Sequence, residues 1–202
     1  RFVLGLACLL LTAGTVYCTS MIYASLKTIH AWHTPFVPLG YAALALSSGG
    51  LLLTALLASQ GYTMGLHLSV AMVLLVMAMG LKLSYWRYIS TSPSESTADS
   101  ATGMKVRRML EAPHTEANYL QQEMGFQIAR KHAEKLRLIA HVAGFVLPVL
   151  LIAIALVWAP GLATALLWLA VVIAGIGLLA ERWLFFAEAK HVVTLYYGES
   201  SA

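Results

Sequence analysis

Residues 162–197 read LATALLWLAVVIAGIGLLAERWLFFAEAKHVVTLYY, and this stretch decides the fold. Its first part, through Ala180, carries neither charge nor proline. As a helix rising about 1.5 Å per residue, that part can cross about 30 Å of hydrocarbon. The rest meets no Gly or Pro before Gly198, so the expected helix continues to Tyr197. Glu181, Arg182, Glu188, Lys190 and His191 interrupt an otherwise apolar and aromatic run. Ionisable groups at a bilayer edge are costly unless they pair, reach water or meet a partner. The stretch therefore reads as a membrane span, and its charged end is the first place to look for function.

The rest of the chain has the same character. Of its 202 residues, 59% are hydrophobic and 11% charged, which excludes a soluble globular domain. Four further spans are expected, at about 3–26, 36–59, 65–88 and 136–158. The fold class is thus all-α, a polytopic bundle of five transmembrane helices. Three regions follow: helices over 1–88, a loop with an amphipathic helix over 89–135, and helices plus the C-terminal end over 136–202. Ser47-Ser48-Gly49-Gly50 allows close helix packing in the second span. Pro148 predicts a kink in the fourth, and Ala159-Pro160-Gly161 a tight turn into the fifth. Within the long loop, residues 90–104 are Ser/Thr-rich and predict no structure. Thr115 can cap a helix over 119–137, where Leu120, Met124 and Ile128 recur at four-residue spacing beside Tyr119 and Phe126. That helix either lies on the membrane, feeds directly into the fourth span, or docks a soluble subunit. Cys8 and Cys18 lie about 15 Å apart along one helix, so they cannot bridge each other.

The basic residues orient the bundle. Lys27, Lys82, Arg87, Lys105, Arg107, Arg108, Arg130, Lys131, Lys135, Arg137, Arg182 and Lys190 all fall on one side by alternation, and Arg1 alone on the other. The positive-inside rule places the long loop and the C-terminus in the cytoplasm, which for a bacterial protein means the inner membrane.

Three stretches carry a resemblance: MIYASLKTIHAWHTPFVPLGYAALALSSGGLLL (21–53), EMGFQIARKHAEKLR (123–137) and ERWLFFAEAKHVVTLYYG (181–198). In this order they resemble the membrane anchor subunits of dimethyl-sulfoxide-reductase-type molybdoenzymes, the DmsC family, and most of all its sulfite dehydrogenase branch. The resemblance implies an eight-span protein whose last five spans are present here. It also implies a complex with a molybdopterin catalytic subunit and an iron–sulfur electron-transfer subunit. The anchor would exchange electrons with ubiquinone or menaquinone and carry no haem. The cytoplasmic C-terminus fits the sulfite branch better than the dimethyl sulfoxide branch, whose catalytic subunits are periplasmic. A quinol-oxidising anchor of the latter kind and a purely structural anchor are the alternatives. The family's best-known quinol-site acid and histidine fall in its N-terminal spans and transfer to no residue here.

Quinone chemistry needs a proton donor near each carbonyl and an apolar wall for the ring. The candidates at the cytoplasmic edge are His30, Trp32, His33, Lys82, Trp86, His141 and Arg182. His141 lies one turn past Arg137, just inside the membrane edge, and histidine exchanges protons near neutral pH. The plainer readings are loop capping for His30 and His33, and an interfacial belt for Trp32, Trp86 and Trp183. Glu181, Glu188, Lys190, His191, Arg130 and Lys131 are candidates for contact with the iron–sulfur subunit. Glu181, Phe185 and Glu188 share one helical face, so a structural ion network, with Lys27 or Arg137, competes with that reading. No catalytic or metal-ligating residue is expected. His67 and His141 sit near opposite ends of their helices and cannot ligate one haem iron. A transporter would place charge near mid-membrane in paired broken helices, which the sequence lacks.

Overall fold

The computed structural model describes residues 1–62, 65–92, 127–157 and 160–190. Within them the chain is helical and contains five segments long and apolar enough to cross a membrane. The first three are α1 (Phe2–Ala24), α2 (Phe36–Ser59) and α3 (Gly65–Thr91). A short α4 (Gln127–Lys131) precedes the fourth span, which consists of α5 (Ala133–His141), a π-helical turn (Val142–Val146) and α6 (Leu147–Val157). A 3₁₀ turn (Pro160–Leu162) leads into α7 (Ala163–Ala187).

The second span matches its expected bounds, because Pro35 and Gln60 flank an uncharged, mostly apolar run. The others differ at their ends. The first stops at Ala24, and the third runs three residues beyond Tyr88. The fourth begins at Ala133, with α4 leading into it across His132, so the amphipathic segment does feed into this span. The remainder of that segment and the Ser-rich stretch lie outside the described residues. The largest correction concerns α7, which ends at Ala187 rather than running to Tyr197. Arg130 donates from Nε to the Ala187 carbonyl (2.9 Å) and from Nη2 to the Ala189 carbonyl (3.3 Å). A cation at a helix C-terminus satisfies carbonyls that would otherwise be orphaned.

The bundle is organised around α7, which packs against α2, α5, the π turn and α6. Helix α2 also packs on α1 and α3, and α3 on α6. The core is built from small residues: Ala55 and Ala58 of α2, Ala71 and Ala78 of α3, and Ala170 and Ala174 of α7, with Leu51, Leu75, Phe145, Ile152 and Leu167 between them. Lipid supplies no hydrophobic drive between helices, so close backbone approach and van der Waals packing carry the association. Large apolar side chains such as Leu53, Leu83, Val172 and Leu179 face outward instead. Several hydroxyls within the spans bond back to their own helix, as in Thr19 to Thr15, Ser48 to Leu44 and Thr54 to Gly50. These hydroxyl hydrogens are then not left unpaired in hydrocarbon.

At Pro148 the disturbance expected in the span takes the form of a widened turn just before it. Proline has no N–H to give the Gly144 carbonyl, and Leu147 donates instead to Val142, five residues back.

Candidate functional site

Polar contacts between spans gather where the C-terminal ends of α1, α3 and α7 meet the α1–α2 loop and the start of α5. Two core stripes lead there. On α3, Leu68, Ala71, Leu75 and Ala78 are buried at helical spacing, and Lys82 is next. On α7, Ala170, Ala174 and Gly177 are buried, and Glu181 is next. Each charged residue thus sits on the inward face of its helix.

Lys82 Nζ pairs with Glu181 Oε1, their side chains 7% and 1% exposed. Arg182 closes on the same carboxylate, Nε to Oε2 at 2.5 Å and Nη2 to Oε1 at 2.8 Å. One anion therefore holds two cations. Aromatic faces receive the excess charge. Lys82 Nζ lies 4.1 Å from the Tyr85 ring centre and 4.9 Å from that of Trp86. The Arg182 guanidinium lies 4.5 Å from the Tyr41 ring centre and 4.8 Å from that of Phe185. A cavity of about 20 Å³ beside Lys82 and Arg182 is too small for anything larger than water. A second pair, Arg137 Nε to Glu188 Oε1 at 2.7 Å, ties α5 to the residue following α7.

Trp86 belongs both to this cluster and to the wall of an open groove of about 540 Å³ between α3 and the fourth span. Met79, Leu83, Arg87 and Ser90 line one side, and Arg137, Leu138, His141, Val142 and Val146 the other. The His141 ring centre is 4.6 Å from that of Trp86. Its Nδ1 lies 2.9 Å from the Arg137 carbonyl. A carbonyl only accepts, so Nδ1 carries the hydrogen, and in the neutral ring Nε2 is left as an acceptor. That Nε2 is buried with no partner among the described residues. The groove thus has an aromatic and aliphatic lining that includes the edge of a histidine, whose Nε2 is buried just behind that surface.

A comparison with known proteins bears on what this arrangement serves. The C subunit of sulfite dehydrogenase from Allochromatium vinosum is 30% identical over 184 residues, covering 89% of this chain and 55% of the relative. The chain is similar to that subunit over most of its own length. It spans about half the length of the curated relative. No family model matches the sequence, and no solved structure does.

Within the described residues the sequence-predicted site residues separate into groups. Trp86 and His141 line the groove, whereas Lys82 and Arg182 lie in the buried ion cluster, with Lys82 against the Trp86 ring. His33 does not join them. Its Nδ1 bonds the Ala24 carbonyl at 2.7 Å and closes the end of α1. His30 stacks on Tyr88 at 5.7 Å on the α1–α2 loop, and its Nε2 is buried and unpartnered among the described residues. Trp32 and Trp86 are corrections to the expected belt, being only 7% and 5% exposed. Trp32 stacks on Phe185 and donates from Nε1 to the Phe185 carbonyl at 3.0 Å. Trp183 remains outside, 46% exposed.

The residues expected to contact a partner subunit also divide. Glu181 is turned inward and leaves that set, because Lys82 and Arg182 hold it in the core. Arg130 and Glu188 spend their charged groups within the chain, whereas Lys131 and Lys190 are exposed. Lys27 is exposed and forms no ion pair among the described residues; His191 lies outside them. Arg137 as a groove wall, and the aromatic seats at Tyr41 and Tyr85, were not anticipated from sequence. The four-residue step from Ala78 to Lys82 and from Gly177 to Glu181 was the available signal.

Proposed function

We propose that this chain is the membrane anchor and quinone-reactive subunit of a sulfite-oxidising molybdoenzyme of the DmsC type. It sits in a bacterial inner membrane with the charged end of the bundle facing the cytoplasm. There an iron–sulfur subunit docks and relays electrons from a molybdopterin subunit. Sulfite and water give sulfate, two electrons and two protons; quinone takes two electrons and two protons to become quinol. Ubiquinone and menaquinone both fit this stoichiometry.

The observation that carries the reading is His141, which lines the groove beside Trp86 and whose buried Nε2 has no partner among the described residues. A quinone headgroup would be held by Trp86 and the aliphatic residues of the lining. Nε2 exchanges the proton of one ring oxygen, while the Arg137 carbonyl fixes the tautomer through Nδ1. Arg137 itself is held by Glu188, at the face where the iron–sulfur subunit would sit. No haem is invoked. Along α3, His67 lies about 28 Å from Trp86, the residue His141 touches, so the two imidazoles cannot share an iron.

The test is His141→Gln in the intact complex. General acid–base catalysis contributes about 10²–10⁴-fold, so quinone-linked sulfite oxidation should fall by about 10²-fold with dye-linked oxidation retained. Quinone-linked turnover at the wild-type level would make this half of the complex a scaffold.

A further inference from the structure

The π turn and the helix it leans on bear on the same groove. A Cβ placed on Gly177 would come 2.1 Å from Gly144 N, 2.4 Å from Gly144 Cα and 2.7 Å from the Ala143 carbonyl carbon. These are backbone atoms and cannot rotate away. The converse is not true: a Cβ on Gly144 would meet only Gly177 backbone, at an ordinary 3.7 Å. Gly177 is buried between Ala174 and Glu181 on the inward stripe of α7. The Lys82–Glu181–Arg182 cluster one turn further on fixes that stretch.

The turn that Gly177 admits has a definite geometric effect. A π turn inserts one residue into an α-helix, which rotates the helical piece before it by about 100° relative to the piece after it. The later piece is α6, with Pro148, Ile152 and Ala155 buried in the core. The earlier piece is α5, bearing Arg137 and His141. His141 and Val142 at the start of the turn and Val146 at its end all line the groove.

We propose that Gly177 is a positioning residue for the groove: its missing side chain admits the widened turn, and the turn sets the rotation of His141 and Arg137 against the core. The inference rests on the quinone reading of the groove and adds to it a residue that lines neither the groove nor the buried ion cluster.

The experiment compares Gly177→Ala, Gly144→Ala, deletion of Ala143 and His141→Gln in the intact complex, measuring quinone-linked and dye-linked sulfite oxidation over a range of quinone concentrations. Misplacing a reacting group by about 1 Å can cost about 10²-fold, so Gly177→Ala should raise the quinone KM or lower quinone-linked kcat by about tenfold or more. Dye-linked oxidation should stay at the wild-type level, and Gly144→Ala should match wild type in both assays. Deletion of Ala143 removes the extra residue of the turn and should reproduce the Gly177→Ala defect. Wild-type quinone kinetics in an assembled Gly177→Ala or Ala143-deleted complex overturns the proposal. So does an equal defect in Gly144→Ala. Failure of both Gly177→Ala and the deletion to assemble also overturns it, since the contact would then serve assembly alone. A His141→Gln complex with unimpaired quinone turnover sinks the groove reading itself. An impaired His141→Gln beside a normal Gly177→Ala sinks only the positioning role.

Discussion

The two ends of this bundle solve the same packing problem with different chemistry. At one end, spans distant in sequence are joined by charge: Lys82 to Glu181, Arg137 to Glu188, and Arg130 to the carbonyls at the end of α7. At the other, the joints between spans are neutral and small. Trp168 Nε1 donates to Ser59 Oγ at 2.9 Å, and Thr164 Oγ1 to the Ala58 carbonyl at 3.3 Å. Between them lies an alanine-rich core that needs neither device. A membrane bundle can therefore close with van der Waals contact and single hydrogen bonds. Buried ion clusters cost desolvation, and hydrophobic packing would do as well for stability alone. Among the described residues these ion pairs lie at one end, next to the groove and to His141, which is the end the proposed quinone reading uses.

The largest effect expected from this contrast is at Glu181. Glu181→Gln leaves Lys82 and Arg182 facing each other across a neutral amide. Removing one partner of a buried pair costs about 3–5 kcal/mol. Lys82→Met should cost distinctly less, because Arg182 continues to hold the carboxylate through two hydrogen bonds. Thermal unfolding in detergent of both variants measures the difference. Equal losses would mean that Glu181 is not the shared anion of the cluster.

Next comes Arg130, which is charged but lies at the rim and is half-buried. Arg130→Gln loses two charge-assisted hydrogen bonds to the Ala187 and Ala189 carbonyls. Partial exposure lets water replace them, so about 1 kcal/mol is expected. The more specific sign is local. Amide hydrogen exchange should quicken in the last turn of α7, near Leu184–Ala187, while the middle of the helix stays protected. Uniform protection along α7 in Arg130→Gln would show that the helix end is set by something other than this clamp.

How far these features were legible in the sequence depends on the range of the interactions involved. The five spans were readable because hydropathy is local, and α2 was placed to the residue because Pro35 and the polar residues from Gln60 punctuate it. The end of α7 was not, because Arg130 terminates it from 57 residues away and nothing in residues 181–197 signals a stop. Trp32 and Trp86 followed the rule for interfacial tryptophan until the α1–α2 loop folded onto Phe185 and Lys82 drew the Trp86 face inward. Pro148 announced a disturbance, but its form as a wide turn depends on Gly177 in another helix. His141 was found through its chemistry and its distance from Arg137. The groove around it could not be, since its two walls come from spans more than 45 residues apart.

The smallest effect belongs to the neutral end, and it tests whether that end is as simple as it looks. Trp168→Phe keeps an aromatic ring at a 38% exposed position and removes only the indole donor. Ser59 Oγ already donates to the Ala55 carbonyl at 3.0 Å, so its hydroxyl hydrogen stays satisfied. One neutral interhelical hydrogen bond in a membrane protein is worth about 0.6 kcal/mol on average, and a loss of that order is expected in unfolding experiments. Because this contact lies across the bundle from the groove, the variant should retain both dye-linked and quinone-linked oxidation in the assembled complex. A larger destabilisation, or any shift in quinone kinetics, would show that the neutral joint is coupled to the charged end through α7. The two ends would then form one mechanical unit, since the same helix carries Trp168, Gly177 and Glu181 along its length.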